Sequence, residues 1–541
     1  MFFHRGIISL VQLVSEILSV NCFFADYCNI CVFVLYSKTQ NNMEKNLETA
    51  RIQDLISTRK SSFWFKKREQ KAIKLFHLVA DKVPAYKKFL SRHKINSASI
   101  KTWKDFQKVP PINKKNYLRY FPYPELFWDG IPFKNVTYTS TTGSTGEPFY
   151  FPREGKLDWQ SSIIHEQFLN NFSNKDTSTL VIVTFGMGVW IGGLITYRGY
   201  EHICDRSRGN ISIITPGINK NEILNSLQKL SPMFDQTIIC GYPPFVKDLV
   251  DEAISAGIDV KKLNLKFSFA AETFTESFRD YLAEHAGIKN KYNETINVYG
   301  SADIGAMASE TPITILIREL ATKNEQLFTD IFGRIDKTPT LAQFNPEFIT
   351  FEESHGDILL TGNNTIPLIR YSIGDHGGVL SFEEVKNKLH KNGLDLDKEA
   401  KKAGIDNKSI AELPMVFVYE RKDMSTTLYG LNVFPEFIRD GLLRPELAKY
   451  CSGKMAMRTL FNKEQDQYLE INVEMKKGTK ASPSIRNKVQ KILLDSLLKK
   501  SSEYRELYRF IKGRAMPKVI LWPAEDPIFF KPGIKQKWII K

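Results

Sequence analysis

Cysteine is scarce, with six residues in a chain of 541. So few thiols over such a length exclude the disulfide-framed secreted domains and predict a reduced, cytoplasmic interior. Cys28 and Cys31 make a C-x-x-C pair, but no second pair stands near it, so the metal or redox signal is weak. The nine histidines include no H-E-x-x-H, and His355 and His376 read as turn or surface residues. No Gly-Lys-Ser/Thr ending marks a Walker loop. FGMGVWIGG (185–193) has glycines after a strand-like run but misses the G-x-G-x-x-G spacing, and it reads as a substrate-side loop. Internal repeats and long low-complexity segments are absent. The net charge of +15 is spread along the chain rather than gathered into arms. It therefore reads as a solvated surface, compatible with a polyanionic ligand but not with nucleic acid as a partner.

Long uncharged apolar runs are missing too. Residues 6–36 are strongly apolar, yet Glu16 and Asp26 interrupt them. No stretch of the roughly 20 uncharged residues preferred by a spanning helix is left. No small-residue cleavage site follows either. Two readings stand: an extension upstream of a true start at Met43, or a membrane anchor.

What the chain has is length for two or more domains and a βα rhythm. KREQKAIKLFHLVADKVPAYKKFL places Ala72, Phe76, Val79 and Val83 at helical spacing, until Pro84 breaks the run. TLVIVTF (179–185), QTIICGY (236–242), LKFSFAAE (265–272) and TINVYG (295–300) read as buried strands, with helices at 221–230, after 244 and over 275–286 between them. This alternation predicts an α/β fold: a large N-terminal domain of mostly parallel sheets flanked by helices. Residues 356–375 are more β-rich, and the tail reads as a smaller, mobile α+β domain. The expected boundaries are an apolar extension over 1–42, a large domain over 43–421 and a small domain over 422–541.

One stretch stands out. In TYTSTTGSTGEPFYF (137–151), seven of the eight residues from Ser140 to Glu147 are Ser, Thr or Gly. Gly143 and Gly146 bracket Ser144-Thr145, so a tight turn can aim amides and hydroxyls at phosphate oxygens. A Ser/Thr-rich β-turn explains the stretch equally well on its own. Downstream, in order, stand FAAE (269–272), VYGSAD (298–303), RYSIGD (370–375), ERKD (420–423) and GIKQK (533–537). Each has a bland explanation alone as a cap, turn or surface charge; the order as a whole does not.

That order resembles the adenylate-forming (acyl-CoA synthetase-like) superfamily, in its branch of phenylacetate–coenzyme A ligases and capsular-polysaccharide biosynthesis proteins. The resemblance runs from about Arg68 to Lys541 and includes VPAYKKFL and LYGLNVFPEFI. It implies an AMP-forming acid–thiol ligase using ATP, Mg2+ and coenzyme A. An aromatic or compact carboxylate attacks the α-phosphorus of ATP, and a thiol then takes the acyl group. Positioning and charge neutralisation, rather than a catalytic triad, carry such chemistry. By resemblance, Thr142, Gly143, Ser144, Thr145 and Gly146 hold the β- and γ-phosphates. Ala271 and Glu272 line the adenine and acyl pockets. Tyr299, with Gly300 and Ser301 after it, packs on adenine, and Asp303 is the magnesium-linked acid. Asp375 accepts from both ribose hydroxyls with Arg421 beside it, Asp423 is the hinge, and Lys535 is the cation of the adenylation step. Gly430, Leu431 and Asn432 face the thiol channel.

The chain departs from the family pattern at several positions. Ala302 stands for the usual Thr, Asp303 for Glu, Phe149 for the Lys ending the phosphate loop and Glu420 for a Gly. The tail glycine precedes Lys535 by two positions, leaving Lys537 as a second candidate. MASETPITILIREL contains no Cys, so no zinc is expected. Two alternatives remain open: transfer to a carrier protein, amine or sugar acceptor, and a degenerate nucleotide-binding scaffold. A homodimer is compatible with all of them.

Overall fold

The structure is a computed structural model that describes residues 45–132, 136–141, 149–174, 176–207, 210–333, 338–406, 409–419, 425–442, 444–530 and 539–540. The chain divides into two compact units, Met1–Thr58 and Arg59–Lys541. In the first, residues 45–58 are helical. Residues 6–36, with Cys28 and Cys31, lie outside the described residues. Among the described residues no helix is long and apolar enough to cross a membrane.

The second unit opens with the helix Ser61–Lys82, which buries Ala72, Phe76 and Val79 on the expected face. Pro84 ends it and supplies the first residue of the next helix, Pro84–Arg92, where its missing N–H costs nothing. Two short strands, β1 (Thr137–Ser140) and β2 (Tyr150–Arg153), then pair antiparallel on either side of the hydroxyl-rich stretch.

Eleven strands form one sheet, beginning with β3 (Thr179–Val183), β4 (Ile211–Ile214), β5 (Gln236–Gly241), β6 (Leu265–Ala270) and β7 (Thr295–Ser301). These five are mutually parallel in the spatial order β4-β3-β5-β6-β7. Helices such as Pro243–Ser255 and Glu276–Ala286 connect them. Burial on both faces explains why β3 and β5 read as continuous apolar runs rather than alternating ones.

The β-rich segment extends the same sheet. β8 (Gly305–Ser309), β9 (Thr340–Gln343), β10 (Ile349–Ser354), β11 (Asp357–Gly362), β12 (Leu368–Leu380) and β13 (Met415–Tyr419) add an antiparallel wing beyond β7. His355 sits in the β10–β11 turn at φ 55°, as expected. His376, expected in a turn or at the surface, is instead buried in β12 with Nδ1 2.8 Å from the Gly356 carbonyl oxygen.

The tail forms the hairpin β14 (Thr426–Leu428) and β15 (Leu431–Val433), then a three-stranded sheet of β16 (Cys451–Phe461), β17 (Gln467–Met475) and β18 (Lys518–Trp522). The helices Pro483–Lys500 and Ser502–Ile511 lie between β17 and β18 in the chain. One continuous apolar cluster joins Phe267 and Leu282 of the large lobe to Met455, Ile471 and Leu493 of the tail.

Candidate active site

Ligands in open α/β sheets bind outside the carboxyl ends of the parallel strands, where the strand order reverses. Here β3 lies between β4 and β5, and one cavity of about 350 Å³ opens above those ends. Its walls include Phe185 and Gly186 after β3, Tyr242 after β5, Ser268–Thr273 at the end of β6, and Asn297–Asp303 at the end of β7. Ala271 holds φ at 76°, a conformation costly to a residue with a Cβ, where the chain leaves β6 toward Glu272.

On the β7 side the polar groups interlock. The Tyr299 hydroxyl donates to Asp375 Oδ2 at 2.5 Å. Asp303 is 3% exposed; Tyr371 donates to its Oδ2 at 2.5 Å and Lys114 Nζ lies 3.1 Å from Oδ1. The fully enclosed Arg153 donates to the Ala302 carbonyl and, through Nε, to Thr139 Oγ1 at 2.9 Å. Burial draws its pKa down to about 10, although Asp303 favours the charged form. Arg153 thereby ties β1, at the entry to the hydroxyl-rich stretch, to the β7–β8 turn.

The tail forms the facing wall. Tyr429 and Gly430 turn the β14–β15 hairpin with φ of 48° and 80°, the two-residue geometry that matches strand twist. The Gly430 N–H donates to Glu272, whose other oxygen accepts from Gln467 Nε2 at 2.7 Å. Asp248 accepts from the Tyr429 hydroxyl at 3.1 Å and pairs with Arg514, while Lys247 reaches Asp466 at 2.6 Å. Burial raises Asp248 to about 6 against the pull of Arg514. Glu503, on the helix Ser502–Ile511, lines the same cavity, and burial pushes its carboxyl up to about 8.

No family model matches the chain. Among curated proteins, phenylacetate–coenzyme A ligase of Thermus thermophilus is 21% identical over 240 residues, 44% of this chain and 49% of the relative. The chain thus spans about half the length of that curated relative. Among solved structures, 2-hydroxyisobutyryl-CoA ligase in complex with 2-HIB-AMP and CoA superposes with a TM-score of 0.58 at 14% identity, covering 90% of both chains. The chain has the adenylate-forming fold. Malonyl-CoA ligase with methylmalonyl-CoA and AMP bound is also similar, at a TM-score of 0.40 and 11% identity over 82% of this chain and 83% of that one.

Within this adenylate-forming fold, Ala271, Glu272, Tyr299, Gly300, Ser301, Asp303, Asp375, Gly430, Leu431 and Asn432 all border the one cavity. Thr142–Gly146, Arg421, Asp423 and Lys535 lie outside the described residues, as do Glu420 and Lys537. The base of the 142–148 stretch is closed by the Thr141 N–H donating to the Phe149 carbonyl at 3.0 Å and the Phe149 N–H donating to Thr141 Oγ1 at 3.1 Å. Phe149, at the position of the family's lysine, is buried with its ring 5.7 Å from Tyr123 and 4.8 Å from Phe151. That position belongs to an aromatic core.

Lys114, Arg153 and Tyr371 were not singled out in the sequence. Arg153 had a detectable signal, a charge at an inward position of a strand. Nothing in NKKNYL separates Lys114 from Lys115, whose side chain is exposed.

For magnesium, the resemblance implies Asp303. Both its oxygens already have donors, one of them the Lys114 ammonium, and no group of three His, Cys, Asp or Glu residues is found among the described residues. These residues do not fit a resident magnesium ion.

Proposed function

We propose that the chain activates an aromatic or compact carboxylic acid with ATP. The acyl-adenylate formed is passed to the thiol of coenzyme A, with release of pyrophosphate and AMP, in the cytoplasm. The observation that carries this reading is a single cavity walled by the β5–β7 ends, the Tyr299–Asp375 pair and the tail's β14–β15 hairpin. ATP enters as its magnesium salt, so the metal is part of the substrate. Asp375, with two acceptor oxygens, suits the ribose diol, and the hydrogen bond from Tyr299 fixes its orientation. The hydroxyl-rich stretch 142–146 cradles the β- and γ-phosphates, and Arg153 holds its entry strand in place.

In the first step a carboxylate oxygen attacks the α-phosphorus and pyrophosphate leaves. Lys535 supplies the cation, Lys114 reinforces it from the floor, and Asp303 holds Lys114 in position. In the second step sulfur attacks the acyl carbon, the bond to the phosphate oxygen breaks, and AMP leaves. Asp423 serves as the hinge between the steps, Arg421 lies beside the ribose, and Gly430, Leu431 and Asn432 border the thiol's approach. A second reading, transfer to an amine, draws on Glu272, Glu503 and Glu506, which place carboxyl groups around the same cavity.

The test is exchange of labelled pyrophosphate into ATP across a panel of carboxylic acids, followed by product analysis with and without coenzyme A. Acid-dependent exchange and a coenzyme A thioester are expected. Absence of exchange with every acid sinks the activation step; an amide or ester instead of a thioester moves the acceptor to the second reading.

A further inference from the structure

Resting on the two-step reading above, the proton on the sulfur still lacks a destination. A thiol attacks as its thiolate, so a group where the acyl pocket meets the thiol's approach has to accept that proton. The β14–β15 hairpin meets Tyr242 there. A Cβ on Gly430 would lie 2.1 Å from the Tyr242 ring, and the Tyr242 hydroxyl sits beside the backbone of Gly186 on the substrate-side loop. Burial raises the Tyr242 pKa, and the neighbouring carboxyls of Glu503 and Glu272 raise it further.

Of the carboxyl groups bordering the cavity on this side, Glu272 and Glu506 are engaged. Glu272 accepts from the Gly430 N–H and from Gln467 Nε2, while Glu506 pairs with Arg509 at 2.6 Å. Glu503 differs. It is 9% exposed on the helix Ser502–Ile511, and among the described residues no hydrogen bond or ion pair reaches its carboxyl. Its oxygens are open nonetheless: they are not sealed as the Tyr86 and Tyr117 hydroxyls are, and the residue lines the cavity. The surrounding cations turn elsewhere. Arg514 pairs with Asp248 and Asp466, Lys499 pairs with Asp495, Arg505 donates to the Leu498 carbonyl at 2.8 Å, and Lys500 and Lys512 are exposed. Burial without a compensating cation pushes the Glu503 carboxyl up to about 8. That basicity matches a thiol of pKa about 8.5, as an ordinary carboxylate near about 4.3 does not. His165, the imidazole bordering the cavity, is too weak a base, because burial lowers it to about 4.

We propose that Glu503 is a catalytic residue of the transfer step, the general base that takes the proton of the acceptor thiol. As sulfur attacks the acyl carbon, the S–H proton passes to a carboxylate oxygen of Glu503 and the C–S bond forms. The bond from the acyl carbon to the phosphate oxygen breaks, AMP leaves with its electron pair, and Glu503 then gives the proton to water. The base belongs to the same lobe as the hairpin that borders the thiol's approach, so the two reach the cavity together.

The test follows single-turnover transfer to coenzyme A from acyl-adenylate that the full chain forms with ATP and an acid supporting pyrophosphate exchange. Glu503→Gln, which has the shape of the protonated acid, is expected to slow transfer about 100-fold at pH 7. The gap to wild type should narrow about tenfold or more by pH 9.5, where the thiol ionises without help. Glu503→Ala should show the same pattern, so the outcome does not hang on one variant. A loss below about tenfold at pH 7, a loss equal at every pH as a structural role would give, or a product other than a thioester overturns the proposal. Wild-type exchange is read first. With no exchange for any acid, the activation reading fails and takes this proposal with it; exchange with transfer untouched by the variants sinks this proposal alone.

Discussion

Asp303 and Lys114 show how one substitution can be read twice. The Asp303 side chain is 2% exposed and that of Lys114 31%. Removing the ammonium leaves a buried carboxylate with Tyr371 as its remaining described hydrogen-bond donor and Arg153 as a more distant charge, whereas removing both charges leaves a neutral hydrogen-bonded group. Because the lysine is partly solvated, Lys114→Ala should cost about 1–3 kcal/mol in urea unfolding rather than the full value for a buried pair. Asp303→Asn in the same chain should return most of that loss, so the double-mutant cycle gives a coupling above about 1 kcal/mol. Additive effects would show that the pair is not formed in solution. For Asp375, loss of a charged acceptor opposite a ribose diol is worth about 1.5–3 kcal/mol. Asp375→Ala should accordingly weaken ATP binding roughly 10–150-fold by calorimetry; unchanged affinity would remove the ribose assignment. At this scale the sequence was legible where a motif brings a residue to the cavity, as for Asp375 and Gly430. It was silent where a lysine from a remote helical turn completes the site, because only tertiary packing brings Lys114 to Asp303.

The β14–β15 hairpin is an element whose position depends on one missing side chain. Gly430 holds φ at 80°, and a Cβ there would lie 2.1 Å from the Tyr242 ring. Gly430→Ala should push the hairpin off Tyr242 and break its N–H bond to Glu272. The expected outcome is a loss of coenzyme A-dependent turnover of tenfold or more, with pyrophosphate exchange within about threefold of wild type. Tyr242→Ala in the same chain removes the clash and should restore part of the turnover; an equal fall of both half-reactions would show that the hairpin serves adenylation as well. The helices and parallel strands were legible because Ala72, Phe76 and Val79 keep helical spacing and β3 and β5 are unbroken apolar runs. The antiparallel wing was legible only as β-rich sequence. Strands such as β8 and β9 are short, and β9 pairs on one side with β8 and on the other with the distant β13, Gln343 opposite Met415, which no local pattern encodes.

Across the whole molecule, two buried groups tilt stability with pH in opposite directions. Glu503 titrates near 8 in the folded chain, above the ordinary carboxylate range, because burial disfavours its charge. The folded state therefore holds a proton that the unfolded chain has given up. This contribution is fully present below the unfolded carboxylate pKa of about 4.3 and is lost as pH rises toward 8. His165 is depressed to about 4, so the unfolded chain takes up its proton first on acidification, and stability falls as pH drops from about 6.5 to 4. Asp248, raised to about 6 by burial, adds to the loss as pH rises, so stability is expected to be greater at mildly acidic pH than at pH 8. The loss from mildly acidic pH to pH 8 attributable to Glu503 is on the order of 2–4 kcal/mol. Glu503→Gln keeps the shape and removes the charge, so its urea-unfolding free energy should change far less between pH 5.5 and 8.5 than that of the wild type. The carboxyl groups of Glu272 and Glu506 border the same cavity, and a positive ligand seated among them would favour the ionised form of Glu503. A primary amine that binds there should flatten the wild-type slope and leave the variant's unchanged, whereas a neutral thiol should do neither. If the wild-type and Glu503→Gln slopes coincide, the carboxyl is solvated and neither the pH preference nor the amine effect follows.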